Sequence, residues 1–156
     1  MKLFGRGQTC LSAVCDGSIK KLENVGDEVF SSGIMGAGVA IEPQNGNIYA
    51  PCDATVTSIA DTSHALTLRT PDGIDVLIHV GINTVELKGR PFEVKCQEGA
   101  RVKQGDLLVV ADIAAIREAG YDPCVIIVMP DNGALKTDIL QSGKVTKEST
   151  VIKIKK

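Results

Sequence analysis

The sequence predicts an all-β protein, and three observations carry that prediction. Hydrophobic residues make up 44% of the chain but aromatic residues only 3%, so a core must be assembled from Val, Ile, Leu and Ala. β-branched residues, which suit a pleated and half-buried surface, gather in short runs. Sixteen glycines and six prolines punctuate those runs, as tight turns between many short strands require. A chain of 156 residues has room for one domain and one real core without covalent staples.

In chain order, residues 1–9 are polar and Gly-rich, lack an apolar signal-like segment, and read as a mobile N-terminal stretch; order is expected to begin near Cys10 and to run as a single domain over residues 10–156. A repeat follows. Ala13-Val14-Cys15-Asp16-Gly17-Ser18-Ile19 recurs as Ala50-Pro51-Cys52-Asp53-Ala54-Thr55-Val56, and more faintly as Gln141-Ser142-Gly143-Lys144-Val145. Each copy reads as a strand, a tight turn set by Asp and a small residue, and a returning strand. A second echo links Val25–Phe30 with Glu98–Lys103, each a turn followed by a valine, Val29 or Val102, expected to face the core. Repeats this short suit a duplicated β-sandwich or barrel-like body better than a solenoid, which needs three or more stacked units.

Between the copies, Gly36 and Gly38 read as positions of positive φ or close backbone approach rather than a phosphate cradle, because no helix follows them. Residues 91–111 read as strands joined by turns at Gln97-Glu98-Gly99 and Lys103-Gln104-Gly105-Asp106. One short helix is predicted from Asp112 to Ala119, with Asp112 as its cap, Ile113 and Ile116 as its apolar side and Gly120 as its stop. Cys124–Met129 is a continuous apolar run expected to be a buried strand, and Val151–Lys155 alternates as a closing strand.

A formal net charge of −2 with interspersed signs provides no basic stripe for nucleic acid and no cationic face for a membrane surface. The longest apolar run, Leu107–Ile116, is too short to span a bilayer and contains Asp112, so no direct membrane insertion is expected. Five cysteines without CxxC spacing fit neither a disulfide framework nor a zinc site, and point to a reducing cytoplasm.

The stretch that organises the rest is His64–Arg90, which holds both histidines of the chain. Residues 64–70 and 74–80 read as two strands, and Thr70-Pro71-Asp72-Gly73 has type I turn chemistry. With Thr70 opposite Gly73, His64 faces His79 directly, with Cβ atoms about 4.5–5.5 Å apart on one sheet face. A slip of two residues keeps the two on that face, and only an odd-numbered loop separates them. A lone His in an apolar strand is usually a satisfied structural residue. A pair on one face can bind a metal, shuttle a proton or carry a transferable group on a ring nitrogen.

His79-Val80-Gly81-Ile82-Asn83-Thr84-Val85-Glu86-Leu87-Lys88-Gly89 resembles the active-site signature of the glucose-type IIA proteins of the bacterial phosphoenolpyruvate-dependent sugar phosphotransferase system, and Thr62-Ser63-His64-Ala65 is similar to that family's second histidine motif. The similarity extends from about Ala13 to the C-terminus. It implies a duplicated hybrid, hammerhead-like β-sandwich with at most one or two short helices, forming one IIA phosphocarrier domain. It also implies a function. A phosphoryl group is accepted from the phosphocarrier protein HPr on His79, as a tele-phosphohistidine, and passed to a cysteine on the IIB domain of a sugar permease. His64 stabilises the phosphoryl oxygens, Thr62 orients His64, and the Gly81 carbonyl fixes the tautomer of His79; no metal or other cofactor is needed.

The same resemblance places Asp27 as an acidic contact for a basic HPr side chain, and Met35, Val39 and Leu77 as an apolar docking patch. Asn83 stands where many relatives have Asp and Ala60 where a Phe is often found, with Glu86 as a partial replacement for the lost charge. Residues 115–122 resemble β-glucoside-type relatives. Three alternatives remain on the residues alone. A zinc-binding His-pair protein needs a third ligand at suitable spacing, which two histidines do not supply. A biotin or lipoate carrier presents Met-Lys-Met in a hairpin, and the only Met-Lys here is Met1-Lys2. A regulatory module that only binds partners has the same exposed histidine surface.

Overall fold

The structure is a computed structural model, and it describes residues 8–130 and 136–155. The described residues form fourteen strands and two short α-helices: β1 (Gln8–Ser12), β2 (Gly17–Lys21), α1 (Glu28–Ser31), β3 (Ala37–Pro43), β4 (Asn47–Tyr49), β5 (Ala54–Ile59), β6 (Ala65–Arg69), β7 (Asp75–Val80), β8 (Phe92–Val94), β9 (Arg101–Val102), β10 (Leu107–Ala111), α2 (Ile113–Glu118), β11 (Val125–Met129), β12 (Lys136–Ile139), β13 (Lys144–Val145) and β14 (Thr150–Lys155). Single 3-10 turns occupy Leu22–Asn24 and Thr84–Leu87. The fold is thus mostly strand, as its composition predicts. Of the segment expected to be mobile, residues 1–7 lie outside the described residues, while Gln8 and Thr9 already pair with Lys155 and Ile154 in β1, ahead of the expected start near Cys10.

Eight strands form one sheet in the order β13-β2-β3-β11-β7-β6-β5-β9, and two three-stranded sheets, β1-β14-β12 and β4-β10-β8, accompany it. β11 lies between β3 and β7, antiparallel to both, and all five of its residues are buried. That is why Cys124–Met129 reads as unbroken apolar sequence: a strand covered on both faces has no polar side to show.

Alternation along β3, β11 and β7 splits the buried residues into two sets. Val39, Ile41, Val76, Ile78, Val80, Val125, Ile127 and Met129 join the larger core, which draws on all three sheets. Ala40, Cys124, Ile126 and Val128 face the other way and join Val25, Phe30 and Ile82, with Leu22, Met35 and Leu77 packed against them. Since successive side chains point to opposite faces, His79 of β7 falls on the same face as Leu77, over the smaller set.

The duplication is written in hydrogen bonds. Asp16 Oδ1 accepts the backbone N–H of Lys147 at 3.0 Å, and the equivalent Asp53 Oδ1 accepts that of Gln104 at 2.9 Å. Ser18 pairs with Lys144 across β2 and β13, as Thr55 pairs with Arg101 across β5 and β9. The two corners also join: Ser12 donates its N–H to Pro51 O at 2.8 Å, and Tyr49 to Val14 O at 2.6 Å. The structural counterpart of residues 98–103 is therefore 141–146, not 25–30 as the sequence echo suggests. Asp27 accepts the Val29 N–H at 2.9 Å and caps α1, so the residues after it coil into a helical turn; Val29 is 48% exposed and Phe30 turns inward instead. The helix predicted at Asp112–Ala119 is present as α2, capped by Asp112 Oδ1 on the Ala115 N–H at 3.0 Å and stopped by Gly120 at φ 90°.

Gly36 and Gly38 act as expected. A Cβ built on Gly36 would lie 2.1 Å from Met129 O, and one on Gly38 1.9 Å from Ile127 O, so only glycine lets β3 approach β11 this closely.

Candidate functional site

The hairpin of β6 and β7 brings the two histidines together by a different route from the one its sequence suggests. Its loop is odd-numbered. Thr70 donates its N–H to Ile74 O at 2.9 Å, Gly73 donates to Thr70 O at 2.9 Å, and Gly73 sits at φ 88°. This is a type I turn followed by a left-handed glycine; the extra residue restores the strand twist that a bare type I turn opposes. The register therefore sets Ala65, not His64, opposite His79.

Strand alternation alone would now point His64 into the core beside Leu66 and Leu68. It does not, because β6 begins only at Ala65. Residues 61–64 form a loop closed by the Ser63 N–H to Ala60 O and the Ala60 N–H to Ala65 O, 2.8 and 2.9 Å, and Ser63 adopts φ 61°. The left-handed residue swings His64 to the face of His79. The rings meet edge to face, with centroids 4.9 Å apart and planes at 82°.

Each ring is held by one nitrogen. His79 Nδ1 lies 2.7 Å from the Gly81 carbonyl, an acceptor only, so Nδ1 carries the proton and Nε2 the free lone pair. His64 Nδ1 lies 2.6 Å from Thr62 Oγ1. Gly81 can present its carbonyl because it sits at φ 84°, its N–H bonded to Cys124 O at 2.8 Å and that of Ile82 to Asp122 O at 2.9 Å. A Cβ there would lie 2.3 Å from Thr84 Cγ2.

Burial, reinforced by the neighbouring His64, lowers the His79 pKa to about 4, while the Gly81 carbonyl and the Asp27 carboxylate pull the other way. Burial also lowers that of His64. Both imidazoles are consequently neutral at pH 7, which makes His79 Nε2 a nucleophile rather than a blocked imidazolium. Among the described residues no group of three or more His, Cys, Asp or Glu side chains gathers as a metal site.

Around the pair, Met35 and Leu77 are half-buried against the smaller core, on the face of His79. Asp27 is half-exposed, and Asn83 and Glu86 are exposed on the loop and 3-10 turn that follow Gly81. Val39 is a correction. It is 1% exposed and belongs to the larger core, because its place in β3 gives it the parity of Ile41 rather than of Ala40. A charged residue there would strike the core and not a docking face.

Phe30 was not among the expected site residues. It is 5% exposed, and its ring centroid lies 5.0 Å from that of His79. A large aromatic in a chain with three phenylalanines was the available signal; reading residues 25–30 as a strand echo hid it. Ser63 and Thr84 were also missed. Nothing in residue type marks a serine as left-handed, and Thr84 stood in the motif without a role.

Comparison with known proteins identifies the family. The family described as phosphoenolpyruvate-dependent sugar phosphotransferase system, EIIA 1, matches residues 9–134. A PTS system glucose-specific EIICBA component of Streptococcus pneumoniae is 43% identical over 91% of this chain, and a beta-glucoside-specific EIIBCA component of Dickeya chrysanthemi 45% identical over 90%. The chain spans only 20% and 22% of those relatives' lengths. A PTS system glucose-specific EIIA component of Bacillus anthracis is 36% identical over 97% of this chain and 92% of its own length. The solved glucose permease IIA from Mycoplasma capricolum superposes with a TM-score of 0.86 at 30% identity, covering 98% of this chain and 99% of that one. The chain belongs to the EIIA 1 family of the phosphoenolpyruvate-dependent sugar phosphotransferase system, a family of phosphocarrier components in sugar transport.

Proposed function

We propose that this chain accepts a phosphoryl group from phospho-HPr on Nε2 of His79 and passes it to a cysteine on the IIB domain of a sugar permease, acting from the cytoplasm. The observation that carries the reading is the 2.7 Å bond from His79 Nδ1 to the Gly81 carbonyl, which leaves Nε2 as the unprotonated nitrogen. The Nε2 lone pair attacks phosphorus as the donor's P–N bond breaks, and the donor imidazole takes the electron pair. The proton stays on Nδ1, donated to the Gly81 carbonyl, while the positive character the ring gains is offset by that carbonyl and by Asp27. In the second transfer a thiolate attacks phosphorus and the P–Nε2 bond breaks, which returns His79 to its starting state.

His64 assists at the phosphoryl oxygens. Thr62 Oγ1 lies 2.6 Å from His64 Nδ1; in this reading the hydroxyl donates, so the His64 ring proton sits on Nε2, the nitrogen available to a phosphoryl group on the neighbouring ring. A docked partner excludes water from the shallow site and aligns the two nucleophiles. Met35 and Leu77 supply the apolar part of the docking face, and Asp27, Asn83 and Glu86 its polar rim. Among the described residues no helix is long and apolar enough to cross a membrane.

Incubation with phosphoenolpyruvate, enzyme I and HPr should add one acid-labile, base-stable phosphoryl group, located on His79 Nε2 by phosphorus–nitrogen coupling. Label on His64 alone, or on a serine, sinks the reading.

A further inference from the structure

Three polar side chains are buried among the described residues: Ser12, Thr70 and Thr84. Ser12 meets Gln104 at the repeat corner, and Thr70 closes the hairpin turn. Thr84 is 0% exposed, adjoins the histidine site and has no part in the transfer as described above.

Its contacts are specific. The Thr84 hydroxyl donates to the Val80 carbonyl across the three intervening residues, Gly81 among them. The N–H of that same Val80 donates to His64 O at 2.7 Å, so one residue links the loop to the segments of both histidines. The Thr84 methyl rests against the α-carbon of Gly81, at the place a side chain would occupy, with Asp122 O beside it. Asn83, immediately before, is left-handed at φ 60°, a conformation asparagine adopts more readily than other non-glycine residues.

We infer that Thr84 is a positioning residue for phosphoryl acceptance: its hydroxyl bond to Val80 O holds the loop so that the Gly81 carbonyl meets His79 Nδ1, and thereby selects the tautomer with a free Nε2. The inference rests on His79 being the acceptor, but it makes a claim about the resting protein that does not need transfer to be observed. Without the hydroxyl the Val80 carbonyl is left buried without this donor, and the loop moves to find another one. The Gly81 carbonyl moves with it, and the proton of His79 is shared between the two ring nitrogens.

The test compares Thr84→Val, which keeps the shape and removes the donor, with Thr84→Ser, which keeps the donor and removes the methyl. Long-range proton–nitrogen spectra of nitrogen-15 histidine-labelled protein at pH 7.5 read the tautomer directly. Wild type and Thr84→Ser should show a protonated Nδ1 and an unprotonated Nε2 on His79. In Thr84→Val the two nitrogen shifts should converge, and the rate of acceptance from phospho-HPr should fall about tenfold, the effect of roughly one hydrogen bond. An unchanged His79 spectrum in folded Thr84→Val overturns the inference. Should that variant not fold, loss of the Nδ1–H tautomer in Thr84→Ser overturns it equally. If wild type shows the expected tautomer but takes no phosphate from phospho-HPr, the transfer reading falls and the positioning claim stands.

Discussion

The two ends of the β6–β7 hairpin use the same unusual backbone conformation to opposite purposes. At the far end Gly73 is left-handed at φ 88°, and among the described residues no heavy atom beyond its chain neighbours lies within 4 Å of where its Cβ would be. Its conformation closes a turn and does nothing else. At the near end Gly81 has φ 84°, but its α-carbon is hemmed in by Thr84 and Asp122, and its carbonyl holds His79. Two non-glycines of the site accept the same conformation: Ser63 at φ 61°, at a cost of about 1–2 kcal/mol, and Asn83 at φ 60°, a residue type that tolerates it better. The difference lies in what surrounds the residue. A left-handed residue in open space is a turn; one locked by neighbours fixes the direction of a functional group.

The largest expected effect separates the two histidines themselves. His79→Gln should accept no phosphate. His64→Gln should still accept from phospho-HPr and pass it on slowly, since an amide replaces a hydrogen bond but supplies neither proton nor charge. Single-turnover transfer to and from each variant measures this. Equal loss of acceptance in both would mean that the near end works as one undivided unit.

The same alanine at both ends should then give unequal losses. Gly73→Ala meets only backbone strain, about 1 kcal/mol. Gly81→Ala meets that strain and a Cβ 2.3 Å from Thr84 Cγ2, which adds about 2 kcal/mol or more of overpacking. Urea unfolding of the two variants tests the comparison, and matching midpoints would break it.

How much of this was legible follows the same division. Strand alternation, the Asp-Gly turns, the cap at Asp112 and the buried run of β11 all express short-range rules, and sequence reading recovered them. It also recovered the Thr62–His64 and His79–Gly81 contacts, through resemblance to a family. It did not recover how His64 reaches its place. Pairing Thr70 with Gly73 put both histidines on one face for the wrong reason: the loop is odd, which alone would part them, and Ser63 reverses that outcome. Two local irregularities cancel: the odd loop is marked by the left-handed Gly73, but nothing in residue type marks Ser63. Val39 was placed in the docking patch by the resemblance alone, and the residues could not correct it, since Gly38, Val39, Ala40 and Ile41 are all buried and apolarity cannot say which face each takes. The N-terminal pairing of Gln8 and Thr9 depends on residues at the opposite end of the chain, beyond any local pattern.

Ser63 supplies a sharper test of that cancellation. Ser63→Gly should keep the loop, because glycine adopts positive φ freely, and leave onward transfer near wild type. Ser63→Val should lose about 1–2 kcal/mol, since β-branching penalises the left-handed region. It should also turn His64 away, giving the kinetic pattern of His64→Gln. Proton contacts between the two imidazoles report the geometry. Their persistence in folded Ser63→Val would show that the loop does not depend on the left-handed residue.

The last effect is a slope with pH. Burial and the neighbouring His64 hold His79 at a pKa of about 4, against an ordinary value of 6.5. Above pH 6.5 the ring is neutral in folded and unfolded chains alike, and its preference for the neutral folded site is fully realised. As pH falls from 6.5 toward 4 the unfolded chain takes up a proton that the folded one refuses, so stability declines; below about 4 both forms are protonated and the decline from this group ends. The slope contributed is at most about 1.4 kcal/mol per pH unit. Titrating carboxylates add their own slope across this range, so the quantity to measure is a difference: urea stability against pH for wild type minus that for His79→Gln, which retains the carboxylates and lacks the ring. The wild type should lose stability more steeply between pH 6.5 and 4 and run parallel to the variant above that window. Parallel curves throughout would mean that the folded ring takes up its proton as readily as the unfolded one, and that the near end does not hold His79 neutral by burial.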